Sequence, residues 1–266
     1  MLKQLIFLVD KNIELPKYED SEVQILNADT GKTSKEDTIY ICDDSKVLKK
    51  LYAEGQNVVA LLTKKNSGED FSFCKYAVQN VKECEEEFFQ NILKRFLGMP
   101  WDILETKRCL IRETAVEDVD AFYELYEDEE ITRYMEPLFE DRDEEIEYTK
   151  SYIKNVYEFY GFGMWTIVLK DNGEVIGRAG VSYREGFEHP ELGFMIGTKY
   201  QRQGLAYEVC SAILEYMHEN YEMEEILIFI EPQNTPSILL AKKLGASFYK
   251  EQCMGKCDAY IIRIPQ

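Results

Sequence analysis

Midway through the second half of the chain, an apolar strand pattern, Glu191-Leu192-Gly193-Phe194-Met195-Ile196, gives way to a helical pattern over residues 206–220. The loop between them reads Gln201-Arg202-Gln203-Gly204-Leu205-Ala206. A strand that hands over to a helix in this way turns successive backbone N–H groups and the positive helix end toward one point. That is how a protein holds a pyrophosphate without needing cationic side chains. Gly204 lets the main chain approach the phosphates, and Ala206 keeps the first helical turn narrow. The spacing is Gln/Arg-x-x-Gly-x-Gly/Ala; the loop alone leaves an ordinary strand–turn–helix with one glycine as the alternative.

At 266 residues the chain has room for one large domain or two modest ones. No uninterrupted apolar run approaches the ~20 residues that span a bilayer. The opening Met1-Leu2-Lys3-Gln4-Leu5-Ile6-Phe7-Leu8-Val9-Asp10 has no small-residue cleavage site and reads as a buried strand, so a soluble cytoplasmic protein is expected. Seven cysteines, without a Cys-x-x-Cys pair, imply reduced thiols. With only His189 and His218 available as imidazole ligands, no metal site is expected. A net charge of −19 argues against nucleic acid or an anionic membrane as partner. The charge is uneven: residues 1–104 carry 14 Lys and Arg against 18 Asp and Glu, and residues 105–266 carry 17 against 32. An acidic surface around a cleft would concentrate a cationic amine; solubility alone explains it equally well.

The chain divides near Pro100-Trp101-Asp102-Ile103-Leu104-Glu105, giving domains at 1–104 and 105–266. In the first, strands are predicted at 4–9, 23–27, 38–42, 58–63 and 76–81, and helices at 45–54 and 85–97, with Gly55 stopping the former. A strand, a helix and a strand in short succession make a parallel βαβ unit, hence a small Rossmann-like α/β layer. In the second domain, Thr114 and Glu117 are read as a capping box before a helix to Tyr126. Another helix runs over 144–160, then a hairpin of strands 164–169 and 175–183 turns at Asp171-Asn172-Gly173. Strands at 109–112, 191–196, 225–230, 247–251 and 259–264 and helices at 206–220 and 236–244 complete an α/β (α+β) unit with a mixed central sheet.

Element by element, residues 107–266 resemble the GNAT N-acetyltransferases, with the branch that acetylates N-terminal amines of ribosomal proteins the closest in pattern. Three segments carry the resemblance: the strand 191–196 with its loop, the run Asn234-Thr235-Pro236-Ser237-Ile238-Leu239-Leu240-Ala241-Lys242-Lys243-Leu244-Gly245-Ala246, and Ile131-Thr132-Arg133-Tyr134-Met135-Glu136-Pro137-Leu138. The resemblance implies acetyl-CoA as cosubstrate, with its pyrophosphate on Gln201, Arg202, Gln203, Gly204, Leu205 and Ala206. It implies that Phe194, Met195 and Ile196 pair with the pantetheine amides where their strand parts from the next. Asn234, otherwise a plain helix cap, would contact the cofactor arm. Tyr134 and Glu136 would meet the acceptor, a primary amine that is either a protein N-terminus or a small amine. An alkylamine is protonated at neutral pH and cannot attack a thioester until a group takes its proton; the resemblance assigns this to Glu191. A Met195 N–H would hold the oxyanion. Many relatives carry a tyrosine as general acid where this chain has Ala241; Ser237, which resembles a serine of the ribosomal-protein branch, is the substitute candidate, with simple helix capping or solvation as the alternative. Cys210 reads as a packed residue and not an acyl carrier.

In the first domain, Ile39-Tyr40-Ile41-Cys42-Asp43-Asp44-Ser45 resembles the acidic C-terminal segment of haloacid-dehalogenase-like phosphatases. Val47, Leu48 and Lys49 stand where those enzymes add a metal-binding aspartate, and Asp10-Lys11-Asn12 lacks the second carboxylate of Asp-x-Asp, so the expectation is a degenerate module. Two other functions stay open: a phosphatase in the first domain, and a CoA-binding or sensing protein without turnover.

Overall fold

A computed structural model describes residues 1–27 and 33–264. The chain forms two compact units, Met1–Trp101 and Asp102–Gln266. The division falls before residues 102–105 because these form a strand in the second unit's sheet.

The first unit contains β1 (Gln4–Leu8), β2 (Gln24–Leu26), β3 (Thr38–Cys42), α1 (Ser45–Ala53), β4 (Val58–Leu61), β5 (Tyr76–Val78) and α2 (Glu86–Phe96). Its strands are all parallel in the order β2-β1-β3-β4-β5. Parallel strands covered on both faces need continuous apolar sequence, and β3 and β4 are buried at every position. One face packs Leu5, Phe7, Ile39 and Val59 with Phe89 and Ile92 of α2, and the other packs Ile6, Tyr40 and Ala60 with Leu48 and Leu51 of α1. Asp44 caps α1 by accepting the Lys46 and Val47 N–H groups at 2.8 and 3.1 Å.

The second unit runs β6 (Asp102–Glu105), β7 (Cys109–Arg112), α3 (Val119–Tyr126), α4 (Glu129–Thr132), α5 (Arg142–Tyr152), α6 (Glu158–Tyr160), β8 (Met164–Leu169), β9 (Val175–Ser182), β10 (Glu191–Ile196), α7 (Leu205–Tyr221), β11 (Glu225–Ile230), α8 (Thr235–Lys243), β12 (Ser247–Met254) and β13 (Cys257–Arg263). The eight strands form one mixed sheet, β12-β13-β11-β10-β9-β8-β7-β6, in which only β10 and β11 are parallel neighbours. Trp165, Ile167, Leu192 and Ile228 on one sheet face meet Val209, Cys210, Ile213 and Met217 of α7.

Two local expectations change. Thr114 does not cap the helix that follows. Instead Asp118 accepts the Ala115 N–H at 2.8 Å and closes the 3₁₀ turn Val116–Asp118 that leads into α3, its carboxylate held there by Arg112 through bonds of 2.6 and 2.7 Å. The helix predicted over 144–160 is α5 and α6 joined by one π turn, Ile153–Tyr157. No helix among the described residues is long and apolar enough to cross a membrane.

Candidate functional site

β10 pairs with β9 at six successive positions but with β11 at one, Glu191↔Leu227. Beyond Glu191 the two parallel strands part. Three bonds show which amides face the gap. Leu227 N–H donates to Pro190 O at 2.8 Å on the β11 side, and Gly197 N–H donates to Ile176 O at 2.8 Å on the β9 side. Gln201 Nε2 donates to Ile196 O at 2.9 Å, away from β9. With the two-residue alternation of a strand, the amides of Phe194 and Ile196 point toward β11 and those of Met195 toward Arg178 of β9. The oxyanion donor expected on Met195 is thereby corrected: its N–H belongs to the sheet ladder, and the gap receives the N–H groups of Phe194 and Ile196. Leu192, Phe194 and Ile196 direct their side chains into the α7 core. Glu191, Gly193 and Met195 therefore share the opposite face.

A single 3₁₀ turn, Thr198–Tyr200, leads from β10 into the loop. Arg202 and Gly204 have positive φ values of 57° and 80°. The first helical bond of α7 is Glu208 N–H to Gly204 O at 3.0 Å, and among the described residues the N–H groups of 202–207 have no acceptor. Six consecutive amides without an acceptor thus stand at the head of a 17-residue helix, the end at which backbone N–H groups and the helix dipole favour negative charge. Gln201, Arg202, Gln203 and Gly204 are exposed, whereas Leu205 is buried and anchors the helix start.

The loop is braced by Arg108, a residue that the sequence reading did not single out. Its guanidinium donates to Gln203 O at 2.9 Å and to Glu208 Oε2 at 2.8 Å, and its N–H donates to Glu208 Oε1 at 2.8 Å. Burial works to raise the Glu208 carboxyl, but hydrogen bonds from Thr106 and from the Arg108 backbone and guanidinium outweigh it and hold the group below its ordinary range.

Glu191 lies at the closed end of the gap, its side chain 12% exposed and its Oε2 2.5 Å from Arg184 Nε. Asn234 is the N-cap of α8, accepting the Ser237 N–H at 3.3 Å. The helix thus starts at Thr235, so Pro236 takes its second position. Ser237 is half-buried on the first turn of α8, and Ala241 is fully buried in the α7–α8 core. From the α4 connection Tyr134 reaches this loop, its hydroxyl donating to Gln233 O at 3.3 Å. Glu136 is exposed. Tyr134, Asn234 and Ser237 are therefore brought to one loop cluster, while Glu136 stands outside it in solvent. Cys210 is fully buried, and burial pushes its thiol up to about 12, which matches its reading as a packed residue.

In the first unit the carboxylates singled out from sequence meet at the C-terminal edge of the sheet. Asp10 Oδ2 accepts Lys65 Nζ at 2.7 Å, Asp10 Oδ1 accepts the Asn12 N–H at 2.9 Å, and Asp43 Oδ2 accepts the Asp10 N–H at 3.1 Å. The Lys65 ammonium, with Asn12, holds the Asp10 carboxyl down to about 2. Among the described residues no group of three or more His, Cys, Asp or Glu side chains is placed to hold a metal ion.

Residues 108–247 match the acetyltransferase (GNAT) domain family. The chain is 32% identical over 158 residues to the uncharacterized N-acetyltransferase YnaD of Bacillus subtilis, covering 58% of this chain and 88% of that protein. It is 30% identical over 156 residues to a ribosomal-protein alanine N-acetyltransferase of Escherichia coli, covering 56% and 78%. In fold it is similar to RimL, a ribosomal-protein alpha-N-acetyltransferase solved in complex with coenzyme A, with a TM-score of 0.52 at 14% identity over 62% of this chain and 98% of that one. With the parted strands and the amide-lined loop in place, the chain belongs to the GNAT family of acetyl-CoA-dependent N-acetyltransferases.

Proposed function

We propose that the second unit transfers the acetyl group of acetyl-CoA to a primary amine by direct attack in a ternary complex, and that the acceptor is a protein N-terminus or an amine resembling one. The single observation that carries this reading is the parting of β10 from β11 after one register pair, the gap leading into a run of six amides without an acceptor. The run at 202–207 fits a diphosphate, and the Ile196 N–H fits an amide of the pantetheine arm. Bound acetyl-CoA would supply the activated thioester. Phe194 N–H, next along the gap, stabilises the developing oxyanion, a contribution that grows in a site shielded from water. Glu191 takes the proton of the incoming ammonium, Arg184 fixing one carboxylate oxygen while the other receives it. Ser237, on the first turn of α8, returns a proton to the departing thiolate. An N-terminal amine as acceptor is supported by the activity that the Escherichia coli relative's name states.

The test is coenzyme A release and product mass with a panel of primary amines and N-terminal peptides, comparing the wild type with Glu191→Gln. Removing a general base costs about 10²–10⁴-fold in rate. The expected result is a loss of that order in kcat with the acetyl-CoA KM unchanged. Binding of coenzyme A without amine-dependent release would support the sensing function instead.

A further inference from the structure

Met164 opens β8 in register with Gly180 of β9, which is itself in register with Gly193 of β10. Neither glycine puts a side chain in the row, and the Met164 thioether crosses it to the strand that borders the gap. A Cβ built on Gly193 would lie 3.1 Å from Met164 Sδ and 3.5 Å from its Cε. That Cβ direction is the face of Glu191 and Met195, opposite the α7 core.

The backbone of Met164 is gripped from both sides. Its N–H donates to Tyr152 Oη at 2.8 Å, and its carbonyl accepts the Tyr157 hydroxyl, whose oxygen also accepts the Thr114 N–H at 3.1 Å. Tyr157 lies in the π turn, which brings its ring edge-on to that of Tyr152 with centroids 5.3 Å apart. π turns within helices recur at functional sites. Gly163 leaves the room, since a Cβ there would fall 2.7 Å from Tyr152 Oη.

Glu191 is two residues from Gly193, about 7 Å along the strand. An amine placed between the Glu191 carboxylate and the Phe194 N–H therefore has the Met164 methyl end beside it. We infer that Met164, positioned by Tyr152 and Tyr157, sets the size of the group tolerated next to the acceptor nitrogen. Its unbranched, polarizable thioether suits a wall that must yield to acceptors of different shape. The inference rests on the acetyl-transfer reading of the same gap.

The experiment compares wild type, Met164→Ala and Gly193→Ala with peptides beginning in glycine, alanine or leucine, and titrates each protein with coenzyme A. Met164→Ala should raise kcat/KM for the leucine peptide relative to the glycine peptide by about tenfold, the scale on which apolar pockets discriminate. Gly193→Ala presses a methyl against Sδ and should lower the same ratio, so the two variants move it in opposite directions and either one, if folded, tests the inference alone. Coenzyme A affinity stays at the wild-type value in both. An unchanged ratio in the folded variants overturns the inference, as does a fall in coenzyme A affinity that parallels the rate. If the wild type binds coenzyme A but releases none from acetyl-CoA with any peptide, the acetyl-transfer reading fails and takes this inference with it.

Discussion

At Gly204 the constraint is torsional and not steric: a Cβ there would meet only Arg108 Nη2 at 3.7 Å, but φ is +80°. Holding an L-residue in that region costs about 1–2 kcal/mol, and relaxing the strain turns the 204–206 amides away from their common focus. Gly204→Ala should raise the acetyl-CoA KM about tenfold, with kcat little changed, which initial-rate kinetics will read. A KM at the wild-type value would detach the loop from coenzyme binding. Gly204 was legible in the sequence because glycine is itself a statement about φ. Arg108 was not, since its partner Glu208 lies one hundred positions away and a lone surface arginine carries no local signal. Which of the Phe194 and Met195 amides faces the gap was equally hidden: it depends on which neighbour takes each amide, and register is a tertiary fact.

Among the elements, those with strong periodicity or turn chemistry were readable: the hairpin at Asn172-Gly173, α7, and α8 with its Asn234 cap. β6 was not, because its four residues, Asp102 and Glu105 exposed and Ile103 and Leu104 half-buried, become a strand only by pairing with β7. The π turn was invisible too, since one widened turn barely disturbs a helical apolar pattern. α7 carries a pH dependence. The Glu208 carboxyl is lowered in the folded state, so its contribution is fully present above the ordinary carboxylate range and is lost as pH falls through the lowered value. Thermal melts should show stability declining as pH drops below about 4.5, and Glu208→Gln should flatten that decline. An equally steep decline in the variant would place the acid-sensitive carboxylates elsewhere.

For the molecule as a whole, a formal charge of −19 would attract a cationic acceptor of the proposed kind, and salt screens such attraction over a Debye length of about 10 Å at 0.1 M. Values of kcat/KM for lysine-rich N-terminal peptides should therefore fall as sodium chloride rises from 20 to about 300 mM, while those for uncharged-side-chain peptides change less. Equal salt dependence for both series would confine the charge to solubility. The two-unit architecture was readable from a strand pattern that restarts after residue 105, and each unit has its own apolar core. What the first unit does was not readable: its acidic pattern alone did not show that Asp10 pairs with Lys65, fifty-five positions away. The central claim concerns where coenzyme A lies. The direct measurement is residue-resolved amide hydrogen exchange with and without coenzyme A. The account predicts slowed exchange at Phe194, Ile196 and residues 202–207, with Met195 unchanged because its N–H is already bonded to β9. Protection confined to other segments, or none at saturating coenzyme A, would contradict it.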